Sequence, residues 1–153
     1  MKSFLLIAAL LFISFAGCLK QDQGCTTVKP QDEEKQILAY ANANSITATK
    51  HPSGLYYEIM DSGTGGWPTV NSKVTVGYTG KLLNDNTFDQ NSSYTQLLNQ
   101  LIEGWQIGIP LIKKGGRIKL IIPSSLAYGC NGSGTAIPRN SVLYFDIWLN
   151  DVK

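Results

Sequence analysis

Three kinds of apolar pattern succeed one another along this chain. Phe4 to Gly17 is a single apolar run without a charge, preceded by one Lys. The next stretch, "LKQDQGCTTVK", has no periodicity and reads as a flexible tether. "PQDEEKQILAYANANSI" then places Ile37, Leu38 and Ala41 on a modest stripe. Pro30 suits a first helical turn, and Asp32, Glu33 and Glu34 sit where the positive end of a helix dipole favours acids, so a short helix is predicted over 30–42. The three acids lack a nearby His or further ligand, and the expectation is a solvated first turn rather than a metal site.

From His51 onward the period changes. "GLYYEIMD" predicts a strand that ends in the turn cluster "SGTGGWP". "KVTVGYTGKLL" sets Val74, Val76 and Tyr78 against Thr75, Gly77 and Thr79, which is one buried and one polar or small face. "NDN" turns the chain into a second hairpin arm that begins at Thr87. "NQLIEGWQIGIPLIKKGG" brings Leu101, Trp105 and Ile109 to one side before Pro110 and paired glycines stop it, the one helical pattern inside the domain. "RIKLIIP" and "SVLYFDIWLNDV" are two further strands. The sum is an α+β fold: a curved antiparallel sheet wrapped around one short α-helix, with a short N-terminal helix.

Composition bounds this picture. With 153 residues and 43% hydrophobic content, one core and one main domain are expected. A net charge of +2, spread without blocks of like sign, gives no footprint for nucleic acid. Residues 1–17 read as a secretion signal, because the run is shorter than the roughly 20 residues of a spanning helix. The end of that run, "FAGC", resembles the lipobox of bacterial lipoproteins, with Phe15 where Leu is usual. It implies lipidation of Cys18 and an exported, membrane-anchored protein; a plain signal peptide cut nearby is the alternative. Leu19, following the cysteine, points to the outer membrane. The organisation is then 1–17 signal peptide, 18–50 lipid-anchored tether and short helix, and 51–153 the working domain.

Conventional catalytic groups are missing. The single histidine, His51, stands beside Pro52 and reads as a turn residue, and one His with two remaining Cys makes no ordinary zinc site. No metal or cofactor is expected. The glycines of "LAYGCNGSG" lead into a strand rather than a helix, so they serve tight turning and not a phosphate.

Four ordered motifs, "VTVGYTGKLLNDNTFD", "LIEGW", "IPSSLAYG" and "IPRNSVLYFDIWL", give residues 54–153 a strong resemblance to the FKBP-type peptidyl-prolyl cis-trans isomerases. The resemblance implies an apolar pocket between sheet and helix that takes a proline ring. By position it makes Trp105 the floor and Tyr78, Phe88, Leu101, Ile102 and Phe145 the walls, with Asp89 at the mouth. It implies that the Ile102 N–H and the Tyr128 hydroxyl donate to peptide carbonyls, and that Ile137, with Ala136 beside it, closes over the ligand from the overhanging loop. The implied partners are proline-containing unfolded or extended polypeptides, with a weakly catalytic or non-catalytic peptide-binding chaperone as the alternative. Between Phe88 and Trp105, "QNSSYTQLLN" departs from the family: it is short and lacks the usual Arg, and Tyr94 is expected to fill part of that wall. Cys25 and Cys130, the thiols left after Cys18, are expected to pair in an oxidising compartment; two free cysteines is the other possibility.

Overall fold

The computed structural model describes residues 24–153. The signal segment and Cys18 lie outside the described residues. Six strands form one antiparallel sheet: β1 (Thr49–Lys50), β2 (Tyr56–Asp61), β3 (Lys73–Leu82), β4 (Thr87–Leu97), β5 (Arg117–Ile122) and β6 (Leu143–Val152). Their spatial order is β1-β2-β5-β6-β3-β4, so the last strand lies at the centre and β4 at one edge. Two helices flank the sheet, α1 (Pro30–Ala43) and α2 (Glu103–Gly108), the latter continued by a 3-10 turn over Ile109–Leu111. The curved antiparallel sheet around one short helix, the fold class expected from the sequence, is the fold observed.

Alternation sorts the side chains between the two faces. Ile118, Leu120 and Ile122 of β5 and Leu143, Phe145, Ile147 and Leu149 of β6 join Trp105 and Ile109 in the larger core. The intervening Ile121 and Tyr144 point the other way, to a second core under α1. α2 has only six residues and two of them are glycine, a poor intrinsic helix. Packing explains it. A Cβ on Gly108 would stand 2.7 Å from the Leu120 methyls, and one on Gly104 would collide with Ile122, so bare backbone lets α2 lie directly on β5.

The expected boundary at residue 51 is corrected by the second core. Ile37, Tyr40 and Ala41 of α1 and Ile46 pack with Tyr56, Ile121 and Val142, so the helix is part of the folded domain rather than of a tether. The expectation of a solvated acidic turn is corrected as well. Asp32 is exposed, but Glu33 is only 2% exposed and Glu34 bonds Tyr56 and Lys50. The physical reason is the stripe itself: Ile37 and Tyr40 face the sheet, and Glu33 lies one turn before Ile37 on that same face.

Candidate active site

The pocket lies where β3, β4 and β6 meet the start of α2. Its lining is Tyr78, Phe88, Asp89, Tyr94, Leu101, Ile102, Trp105, Tyr128 and Phe145, around a volume of about 140 Å³. Every implied floor, wall, mouth and donor residue is thus brought to one place, together with Tyr94. Ala136 and Ile137 are not. Ala136 is exposed, and Ile137, 5% exposed, belongs to the core and holds the loop through paired backbone bonds with Ser133. Ile137 serves here as a loop anchor, its side chain turned inward to the core cluster that includes Trp105 and Phe145.

Aromatic edges define the pocket walls. Trp105 meets Tyr78 and Phe145 edge to face at 5.0 and 5.1 Å between ring centres, and Phe88 meets Phe145 at 5.5 Å. Each such pair adds about 0.5–1.5 kcal/mol to its area burial and fixes ring orientation. The Trp105 Nε1 is buried without a hydrogen-bond partner, so the indole is held by ring contacts alone. Gly80 on β3 makes this packing possible. A Cβ there would lie 2.7 Å from both Phe88 and Phe145.

At the mouth, the Tyr78 hydroxyl donates to Asp89 Oδ2 at 2.6 Å. Burial first, and then that bond, push the Tyr78 phenol well above the usual tyrosine range. The carboxylate is therefore oriented by the Tyr78 hydroxyl. Tyr128, 38% exposed, is raised by burial and by the charge of Asp89, and stays a protonated donor at neutral pH. Among the described residues its hydroxyl has no partner, nor has the Ile102 N–H at the entry to α2. Both donor residues line the same cavity.

Gln106 was not singled out by sequence reasoning. Its Nε2 donates to the Leu101 carbonyl at 2.7 Å, the other end of the peptide unit that carries the Ile102 N–H. Its place one residue past Trp105 was the available signal. A larger groove of about 690 Å³ on the outer face of β3, β4 and β6 is shallow, and neutral side chains such as Gln90, Asn150 and the Trp148 ring line it. The smaller pocket is the better chemical candidate because it joins aromatic walls to the two donor residues Ile102 and Tyr128. Among the described residues no three His, Cys, Asp or Glu gather as a metal site.

Comparison with known proteins agrees with this geometry. The family profile described as FKBP-type peptidyl-prolyl cis-trans isomerase matches residues 66–150, more than half of the chain. A probable FKBP-type isomerase of Haemophilus influenzae is 38% identical over 127 residues, covering 80% of this chain and 52% of the relative. FkpA of Escherichia coli is 44% identical over 107 residues, 66% of this chain and 38% of its own length. The chain spans about half the length of the curated relatives it matches. Among solved structures, Escherichia coli FkpA superposes with a TM-score of 0.72 at 35% identity, covering 82% of this chain and 61% of that one. AtFKBP13 superposes at 0.65 and 31% identity, over 69% of this chain and 98% of that one.

Proposed function

This chain belongs to the FKBP-type peptidyl-prolyl cis-trans isomerase family, and from that premise we propose that it catalyses rotation about X-Pro bonds in exported, still-unfolded polypeptides. The observation that carries the reading is the pocket: an apolar, aromatic-walled space closed by Trp105, with two unpaired donors on its rim. At about 140 Å³ it is well below the roughly 300 Å³ at which drug-sized ligand sites begin, and it suits a single small ring.

An X-Pro bond resists rotation because amide resonance is lost on twisting, with a barrier of about 20 kcal/mol and uncatalysed exchange in tens of seconds. No proton has to move, which fits a site without a nucleophile or a base. The planar amide has the larger dipole and loses more hydration on entering an apolar pocket, so the twisted state is favoured there. The Ile102 N–H and the Tyr128 hydroxyl hold flanking carbonyls while the target bond turns. Asp89, steered by Tyr78, sets the charge at the mouth.

The same reading includes the chain's placement. Acylation of Cys18 tethers the protein to the outer membrane, facing the periplasm, where each buried methylene contributes roughly 0.8 kcal/mol. A Cys25–Cys130 disulfide, whose Cα atoms stand 5.2 Å apart, holds the N-terminal arm beside the Tyr128 loop. The seven residues from Cys18 to Gly24 can reach at most about 25 Å. Refolding of a protein limited by prolyl isomerisation tests the function. The expected result is a faster slow phase at substoichiometric amounts of this protein. Suppressed aggregation with an unchanged slow phase would favour the chaperone alternative.

A further inference from the structure

We infer that Glu33, on the helix outside the matched domain, is a positioning residue for the Tyr128 donor, an inference that rests on the isomerase reading above. Glu33 is 2% exposed, and its Oε2 accepts the backbone N–H of Ser124 at 2.8 Å across 91 residues of sequence. Its other oxygen, Oε1, is buried without a partner, as are the Ser124 and Ser125 hydroxyls. Removing a carboxylate from water with no cation beside it is costly, and an apolar side chain would pack α1 on the sheet at least as well. The bond to Ser124 is what a carboxylate supplies here and an apolar residue does not.

Ser124 opens the 3-10 turn Ser124–Leu126 that leads into Tyr128. Its N–H is one of the donors that a helix start leaves unpaired, and Pro123 before it has none to offer. Its carbonyl accepts the Ala127 N–H at 3.0 Å. Ser124 is therefore held from both sides, by α1 and by the turn. Further on, Asn140 N–H bonds the Gly129 carbonyl at 2.8 Å and Arg139 Nε bonds the Cys130 carbonyl at 2.7 Å. Tyr128 lies between these fixed points, and its hydroxyl has no partner of its own among the described residues. The backbone on either side is what places that hydroxyl, and on the upstream side the fastening is Glu33. The family profile begins at residue 66, so the catalytic loop is braced by a part of the chain that lies outside it.

The test compares Glu33→Met, which keeps the buried volume and removes the acceptor, with Glu33→Gln, which keeps an oxygen for the Ser124 N–H. Both are made in the wild-type protein and in Tyr128→Phe, with kcat and KM read on a Phe-Pro peptide. Glu33→Met is expected to lower kcat/KM roughly five- to tenfold, within the ordinary range of one lost hydrogen bond. Glu33→Gln is expected to stay within about twofold of wild type. In the Tyr128→Phe background the effect of Glu33→Met should shrink to less than about twofold, since the group it positions is already gone. Equal losses in both backgrounds, or a Glu33→Gln variant as impaired as Glu33→Met, would overturn the inference. Amide hydrogen exchange over residues 123–131 supplies a readout that does not depend on catalysis. Faster exchange confined to that segment in Glu33→Met supports the brace, and unchanged exchange refutes it. A wild-type protein without isomerase activity would contradict the proposed function, and the exchange result alone would then decide whether Glu33 fastens the loop.

Discussion

The two faces of the sheet are built by different rules. On the concave face, aliphatic side chains of β5 and β6 pack against α2, and aromatic rings meet edge to face around a cavity that glycines keep open. On the convex face, α1 covers Tyr56, Ile121 and Val142 and adds polar links to distant parts of the chain. Tyr40 bonds Asp85 in the β3–β4 turn, Glu34 bonds Tyr56 and Lys50, and Glu33 bonds Ser124. Farther along the same face Arg117 stacks on Trp148 at 4.3 Å and bonds Asp146 through two nitrogens. One face holds the aromatic cavity, and the other carries α1, whose Glu33 bonds the turn that leads into Tyr128. On the proposed bracing by Glu33, the cavity depends on a cover that shares none of its residues.

The largest expected effect is on the concave face. Trp105→Ala removes a side chain that is 4% exposed and should cost about 3–5 kcal/mol in denaturant unfolding, with loss of peptide binding. If the ring served binding alone, stability would be unchanged. Next, Ile37→Ala on the convex face should cost about 2–4 kcal/mol, because Ile37 is fully buried under α1. A cost near zero would return α1 to the tether and erase the contrast between the faces. The Cys25–Cys130 pair closes a loop of 105 residues, worth an upper figure of about 4–5 kcal/mol and typically about 2–4. Thiol counting on the unfolded, unreduced mature protein should find neither cysteine free, and two free thiols would refute the pairing.

A smaller effect is a dependence on alkaline pH. Burial first, and then the charge of Asp146, push the Tyr144 phenol up to about 12 on the convex face. Its unfolded value is near 10, so the fold favours the neutral phenol. The stability this supplies is intact below about pH 10 and is lost as pH rises through about 12. Unfolding free energies measured from pH 8 to 12 should be flat and then fall, and Tyr144→Phe should make the fall shallower. An identical fall in Tyr144→Phe would assign the effect to other groups, Tyr40 and Tyr78 foremost, since both are also raised chiefly by burial.

The concave face was largely legible in the sequence, because its information is local. Val74, Val76 and Tyr78 alternate, Leu101, Trp105 and Ile109 recur at helical spacing, and turn residues separate the strands. α1 was legible for the same reason and ends one residue beyond its expected limit. Where α1 docks was not. Glu33 reads as one of three acids in a first turn, and nothing within ten residues of it distinguishes the one whose partner is Ser124. The bond joins residues that neither share an element nor follow a period. The inward turn of Ile137 was not legible for a related reason: an apolar residue in a glycine-rich loop does not state which way its side chain turns. β4 starts at Thr87, where the hairpin arm was expected to begin, and runs on to Leu97 through the polar "QNSSYTQL", since an edge strand with one solvent face needs few apolar residues to pair with β3.

What separates a pocket that catalyses from one that holds is the rate of cis-trans exchange in a short Phe-Pro or Leu-Pro peptide, measured by NMR exchange spectroscopy with the wild-type protein and with Tyr128→Phe. The expected result is exchange far faster than in solvent for the wild type, and a clear reduction in Tyr128→Phe with its melting temperature unchanged. Exchange no faster than in solvent for the folded wild-type protein would contradict the assignment of this pocket as a prolyl isomerase site.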